Sequence, residues 1–328
     1  MRNIVAIIGQ PNTGKTTLAK KLKNILPESI LIETDWIQIR AIKAGLLPKW
    51  KDYSKKLGQL LQSLNDEEKL NLKKLLQHEI DAAKSHNIII EGYALTLPEY
   101  ADIIPEDAIR INKESIHDFS EISLSALILE IQRRAREHIN KNMPRFYQRF
   151  EFTGGASDSD SIAKWQALNL NNLIGKRVLD VGCNTGFFTF ECEKIGAAEV
   201  IGIDSAELAI DIANTLKNSI YLSHNTKFQV LDVHNVSTLG KFDCIMALSM
   251  LHYIPDQDIV IKQLYDMLNP GGILKLEMGV HFKTDQINGK YYPSFGHLQR
   301  LFPGEIEISS SVNQAGDYIP RYVITVVK

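Results

Sequence analysis

Ile4-Val5-Ala6-Ile7-Ile8 runs directly into Gly9-Gln10-Pro11-Asn12-Thr13-Gly14-Lys15-Thr16, and no other stretch constrains the fold of this chain as tightly. A short apolar run reads as a strand, Thr17–Ile25 reads as a helix, and G-x-x-x-x-G-K-T between them requires a strand–loop–helix unit. In such a unit Gly9 and Gly14 let the backbone approach phosphates, and successive N–H groups at the helix N-terminus form an anion cradle. Asn12, Thr13 and Thr17 belong to that cradle. Lys15 brings a point charge to the β- and γ-phosphates, and the Thr16 hydroxyl suits Mg2+. The pattern implies ATP or GTP with Mg2+.

Two further acids follow strand-like runs. Ser29–Glu33 reads as a second strand and leads into Thr34-Asp35-Trp36. There Asp35 either accepts the proton of an acceptor hydroxyl or caps a helix Trp36–Ala44, and the two roles are compatible. Arg40 lies about one helical turn on, near the same cleft or in solvent. From Asn65 an amphipathic helix starts with three acids and a Leu72, Leu75, Leu76, Ile80 stripe, which is packing. Asn87-Ile88-Ile89-Ile90-Glu91 then reads as a buried parallel strand. Its Glu91 falls at the carboxyl end, where open α/β sheets bind ligands, and is a candidate for the Mg2+ shell or for pairing with Lys15. Ala108–Ile111 is a further strand. Arg133, Arg134 and Arg136 sit on a helix near Ser120–Asn140 and serve either as a phosphate-neutralising lid or as a solvated face.

Size and charge bound the rest. A chain of 328 residues accommodates two domains. Of its 37 Lys+Arg and 39 Asp+Glu, residues 1–150 hold 23 and 19, leaving 14 and 20. Neither half is basic enough to suggest a nucleic-acid surface, which weighs against an RNA partner. No apolar run approaches the roughly 18 residues of a membrane span, no signal-peptide pattern leads the chain, and three cysteines without metal-type spacing suggest a reduced, cytoplasmic protein.

The pattern changes near residue 142. Met143–Gly155 mixes Pro and Gly with Phe146, Tyr147, Phe150 and Phe152, too aromatic for a flexible linker. It reads as an ordered lead-in, with Tyr147, Gln148 and Trp165 as lid contacts or packing. The expected division is 1–142, a lead-in 143–172, and 173–328.

The second half opens with Val178-Leu179-Asp180-Val181-Gly182-Cys183-Asn184-Thr185-Gly186-Phe187, a strand turning through G-x-x-x-G into a helix. It is not the G-x-G-x-x-G of dinucleotide folds. Val200–Asp204 ends in an acid suited to a ribose diol. Strands Lys227–Leu231 with Asp232, Phe242–Leu248 and Ile273–Glu277 follow, the last after Asn269-Pro270-Gly271-Gly272. Alternating strands and helices at this spacing predict an α/β protein with two doubly wound parallel sheets, and Gly304–Ser310 with Arg321–Val327 predicts an antiparallel C-terminal strand pair.

The first half resembles P-loop kinases of small molecules and nucleic-acid ends, carried by Gly9–Thr16, Asp35, Glu91 and the arginines. The second resembles class I S-adenosylmethionine-dependent methyltransferases. That resemblance implies S-adenosyl-L-methionine held at Asp180, Gly182, Cys183, Asn184, Gly186 and Phe187, its ribose at Asp204 and Ser205, and its adenine at Asp232 and Val233. Ala247 and Leu248 would line the strand-four edge. Asn184 departs from the glycine common there. Tyr147-Gln148-x-Phe150 ahead of this core is similar to the tRNA wobble-uridine carboxymethyl-transfer subgroup and its glycan-modifying relatives. His252, beyond strand four, is the candidate base for a hydroxyl acceptor or a loop-bonding histidine, with Tyr253, Glu277 and His281 behind it. The aromatic stretch Lys290–Phe295 either stacks on an acceptor or covers the sheet edge.

The expectation is a kinase joined to a methyltransferase, acting on a glycan end or small polyhydroxylated molecule. Its rivals are an RNA-modifying pair of activities and a methyltransferase governed by a nucleotide-sensing P-loop.

Overall fold

A computed structural model of the chain describes residues 2–9, 13–43, 45, 47, 61, 63–113, 121–143, 145–150, 159–281, 285–287, 289–302, 304, 306–312 and 319–328. The chain divides into two compact units, one of Met1–His138 with Asn218–His224, the other of Ile139–Lys217 with Asn225–Lys328.

The first unit is built on four parallel strands, β1 (Asn3–Gly9), β2 (Ser29–Glu33), β3 (Asn87–Gly92) and β4 (Ile109–Lys113), in the order β2-β3-β1-β4. Every residue of β3 is buried, as its unbroken apolar run requires of a strand covered on both faces. Period-two alternation then sorts the neighbours. Ala6, Ile88 and Ile90 face a core with Ile37 and Ala41 of α2 (Thr34–Lys43) and Leu72 and Leu76 of α3 (Asp66–Ala82). Val5, Ile7 and Ile89 face Leu18 and Leu22 of α1 (Lys15–Ile25) and Leu127 and Ile131 of α4 (Glu121–Asn142). The Asn65 side chain closes a capping box with Glu68 at the start of α3. At the amino ends of the strands, Asn3 donates to Asn87 Oδ1 at 2.9 Å and to Ser219 Oγ at 3.0 Å. Helix α2 begins at Thr34, so Asp35 stands inside its first turn rather than ahead of it.

The main sheet of the second unit has seven strands among the described residues, in the order Ile306–Ser310 (β12), Arg321–Val327 (β13), Leu268–Gly279 (β9), Phe242–Leu248 (β8), Arg177–Val181 (β5), Glu199–Asp204 (β6) and Thr226–Val230 (β7). Strands β5, β6, β7, β8 and β9 are parallel. Strand β13 runs antiparallel to both β9 and β12, the expected C-terminal pair. From β5 the chain winds outward to β6 and β7, then returns to the other side of β5 for β8 and β9. That reversal at β5/β8 opens a crevice at the carboxyl ends of the strands, where α/β sheets bind ligands. Helices α5 (Ser161–Leu168), α6 (Phe187–Lys194), α7 (Glu207–Thr215), α8 (Gln257–Asp266) and α9 (Phe295–Leu301) complete the unit with a short hairpin, β10 (Asp285–Ile287) and β11 (Lys290–Tyr292). No helix among the described residues is long and apolar enough to cross a membrane.

Candidate functional sites

In the first unit, Gly14 takes φ 83° immediately before α1, a left-handed turn that favours glycine and leaves the N–H groups of the first helical turn facing outward. Lys15 and Thr13 are buried behind it and Thr17 is exposed, while Asn12 lies outside the described residues. The Thr16 hydroxyl donates to Glu91 Oε1 at 2.9 Å, joining the start of α1 to the end of β3. Register places Glu91 beside Ile7 of β1 and Glu33 of β2. Burial lowers the Lys15 ammonium pKa, opposed by the nearby charges of Glu91 and Asp35. Burial raises both carboxyls. Lys15 pulls Asp35 back, and the Thr16 hydrogen bond pulls Glu91 back. A hydroxyl and a carboxylate oxygen in contact are the hard donors Mg2+ takes, so Thr16 and Glu91 fit that ion.

Arg133 and Arg134 stand elsewhere. Arg133 is bound by Glu130 at 2.8 Å and Glu137 at 2.5 Å, and Arg134 by Glu130 and the Asp107 carbonyl. With Arg2 and Asn3 they line a depression where β1 and β4 begin, the sheet end opposite the phosphate loop. Arg136 is exposed. Arg133 and Arg134 do not assemble the expected lid; their guanidiniums are engaged by acids one helical turn away. Arg40 pairs with Glu79 at 3.0 Å.

In the second unit a cavity of about 360 Å3 occupies the β5/β8 crevice, within the usual range for small-ligand sites. Gly182, Asn184, Asp204, Ser205, Asp232, Val233, Leu248, Tyr147 and Gln148 line it, as the sequence suggests. Asn184 adopts φ 52°, which explains why glycine suits this turn and how asparagine replaces it. Its side chain accepts the Thr185 N–H at 2.9 Å, and its own N–H reaches Asp204 Oδ2 at 2.9 Å. Asp204 Oδ1 takes the Ala206 N–H at 2.9 Å, so the carboxylate is fixed by backbone with lone pairs left for a diol. Gln148 Oε1 accepts Thr185 Oγ1 and the Phe187 N–H, each at 3.1 Å, and its amide donates to the Cys183 carbonyl at 3.0 Å. The lead-in residue therefore clamps the G-x-x-x-G turn from outside.

Five residues expected to hold the cofactor, and the principal candidate base His252, do not line this cavity. Asp180 is buried and accepts from Thr189 Oγ1 at 2.7 Å. Cys183, Phe187 and Ala247 are buried in the packing, and a Cβ on Gly186 would come within 2.5 Å of the Phe228 ring. His252 is also buried, its ring 4.1 Å from that of Tyr253 and parallel to Tyr292 at 6.2 Å. The cavity is lined instead by its neighbour Tyr253.

Beside the cavity lies a charged network absent from the sequence reading. Lys164, a lining residue of α5, donates to Ser249 Oγ at 2.9 Å, and Ser249 donates to Glu277 Oε2 at 2.5 Å. Arg321 holds Glu277 in a fork of 2.7 and 2.8 Å, and Ser311 adds a 3.0 Å bond. Burial alone would raise the Glu277 carboxyl. Arg321, Lys164 and Ser249 outweigh it and hold the pKa below the ordinary range, which makes Glu277 a poor base.

Residues 174–307 match the family of methyltransferase domains, and residues 1–112 match that of AAA domains. The chain thus carries a P-loop domain followed by a methyltransferase domain. Among curated relatives, a tRNA U34 carboxymethyltransferase of Campylobacter hominis is 32% identical over 127 residues, 35% of this chain and 42% of that protein. A ubiquinone biosynthesis O-methyltransferase of Shewanella halifaxensis is 31% identical over 102 residues, 31% of this chain and 43% of its own. The chain spans less than half the length of either. A solved structure of the bifunctional kinase–methyltransferase WbdD superposes with a TM-score of 0.47 at 18% identity, over 58% of this chain and 45% of that one.

Proposed function

We propose that the chain is a bifunctional transferase, an ATP-dependent kinase and an S-adenosylmethionine-dependent O-methyltransferase for a small polyhydroxylated acceptor or glycan end. One observation carries the reading: two separate sites, each with its own anchoring carboxylates, stand on one chain. In the first unit Lys15 and the Gly14 turn hold phosphates, and Thr16 with Glu91 holds Mg2+. ATP, when bound, supplies the transferable phosphoryl group. Asp35, whose pKa burial raises against the pull of Lys15, takes the acceptor hydroxyl proton. In the second unit Asp204 holds the ribose diol and the Asp232–Val233 edge the adenine. S-adenosylmethionine, when bound, would supply an electrophilic methyl carbon for an acceptor oxygen, with sulfur as the leaving atom. A hydroxyl acceptor loses its proton to water or a neighbouring base. Burial behind Tyr253 weakens the case for His252 as that base.

Lys15→Ala is expected to abolish ATP binding in equilibrium dialysis, whereas Asp35→Asn keeps affinity and loses about 100-fold in phosphoryl transfer. Undiminished transfer by the Asn variant removes Asp35 from this role. ATP binding with no transfer in the unsubstituted protein would instead favour a nucleotide-sensing P-loop. Asp204→Ala lowers affinity for S-adenosylhomocysteine at least about 10-fold by calorimetry, the loss of hydrogen bonds to a charged group. His252→Ala changes it less than about threefold; equal effects contradict the assignments. The tRNA-modifying relatives support RNA as a second acceptor class, against the surplus of 20 acids over 14 bases beyond residue 150. Label from ATP and from S-adenosylmethionine separates the two by entering soluble sugar or RNA.

A further inference from the structure

The cavity wall carries an aromatic ledge that the cofactor assignments leave unused. Tyr253 lines the cavity yet stays 63% exposed, an open ring at the mouth. It is held from behind. His252 packs against it at 4.1 Å, and Tyr292 of β11 stacks on His252 with ring planes 3° apart. Tyr292 is in turn pressed on Gly279, where a Cβ would lie 2.9 Å from its ring. The β10–β11 hairpin, paired through Asp285 and Tyr292, is thereby fastened to the end of β9. Lys290 of the same hairpin places its ammonium 5.0 Å from the Tyr253 ring centroid.

Three charged residues line the cavity, Asp204, Asp232 and Lys164. Lys164 is turned toward Ser249 and the Glu277 network, whereas Lys290, outside the lining residues, sits against the Tyr253 ring. A cation held against a ring keeps its charge, which remains available to an anion.

We infer that Tyr253 and Lys290 form the acceptor subsite of the methyltransferase unit, taking a sugar ring that bears one anionic group, such as a phosphate. The inference rests on the methyltransferase reading given above. The ring lies against Tyr253 and the anion meets Lys290. One ammonium against the ledge, in a half with 20 acids to 14 bases, matches one such group; a polynucleotide calls for several phosphate contacts. The anion-bearing ring can come from a free sugar phosphate or from a phosphorylated glycan end.

The test is calorimetric titration of the full chain saturated with S-adenosylhomocysteine. Probes are glucose 1-phosphate, glucose 6-phosphate, mannose 1-phosphate, mannose 6-phosphate, a phosphorylated oligosaccharide, glucose, inorganic phosphate and an RNA stem-loop. At least one phosphorylated sugar is expected to bind at least 10-fold more tightly than glucose or phosphate. That binding falls at least 10-fold in Lys290→Gln and in Tyr253→Leu, while Lys290→Gln leaves affinity for S-adenosylhomocysteine within threefold. Tighter binding of the free sugars or of the oligosaccharide decides the source. Absence of binding by every phosphorylated sugar, or binding that both variants retain, overturns the subsite. Lys290-dependent binding of the stem-loop alone overturns the sugar class in favour of RNA. Failure of S-adenosylhomocysteine to bind the unsubstituted protein sinks the methyltransferase reading itself, a result distinct from the others.

Discussion

Arg321→Met is expected to destabilise the methyltransferase unit by about 3–5 kcal/mol, the usual loss when one partner leaves a buried ion pair. Glu277 is 1% exposed and Arg321 6%, and the fork between them uses both carboxylate oxygens. Methionine matches the bulk of arginine but leaves a buried carboxylate with only Ser249, Ser311 and the charge of Lys164. For a unit of this size the loss corresponds to a fall of about 10 °C in melting temperature. The relevant calorimetric transition is the one that S-adenosylhomocysteine raises. Glu277→Gln, which removes the charge but keeps the shape, should cost less, and adding it to Arg321→Met should recover part of the loss. Simple addition of the two single effects would show that the pair is not coupled. The sign with pH is also fixed. The lowered Glu277 pKa contributes stability above the unfolded value near 4.5, lost as pH falls through the folded one. Without Arg321 the carboxyl protonates more readily, so the deficit of Arg321→Met shrinks as pH falls.

What the sequence conveys, and what it withholds, follows from the range of the interactions involved. Strand and loop positions are local properties. The apolar run of β3, the glycines before α1 and α6 and the acids after each strand are written in consecutive residues, and both parallel sheets follow from them. Gln148 is legible as a site residue because an aromatic-rich lead-in has no use in a linker, though its clamp on the 183–187 turn is not. The charged network is illegible. Lys164, Ser249, Glu277 and Arg321 come from four elements, and nothing in Ile162-Ala163-Lys164-Trp165 distinguishes this lysine from a solvated one. Trp165, chosen from the same helix for its ring, does not line the cavity, while the lysine beside it does. Arg133 lies away from the phosphate loop for a related reason. Composition places cations on a helix, but only the sheet order shows that Arg133 lies where the strands begin. His252 and Tyr253 differ by one position, and which of them meets the cavity depends on the hairpin packed behind them.

Asp180→Asn is expected to reverse the usual penalty for removing a buried carboxyl, with a benefit that grows with pH. Asp180 is 1% exposed, its carboxyl bonded by Thr189 Oγ1 at 2.7 Å, and Asp204 is the nearby like charge. Burial is the largest cause of a pKa pushed up to about 7, with Asp204 adding to it and Thr189 opposing it. In the unfolded chain the same carboxyl loses its proton near 3.8. Between these values the folded protein holds a proton that the unfolded chain does not. The contribution of Asp180 to stability is therefore fully present below about pH 4 and declines as pH rises towards 7. Three units of separation correspond to about 4 kcal/mol at the upper end. Asparagine fills the same space, bonds Thr189 with either amide atom and does not titrate. Below pH 4 the variant should therefore equal or trail the parent. Through the interval to pH 7 the difference in melting temperature, variant minus parent, should climb, and above it level off. Subtracting the parent cancels the other titrating groups, which both proteins share. A difference that falls with rising pH would mean that Asp180 is ionised in the folded state and stabilised by a cation. That result would return it to the ligand-facing role its place before Gly182 first suggests.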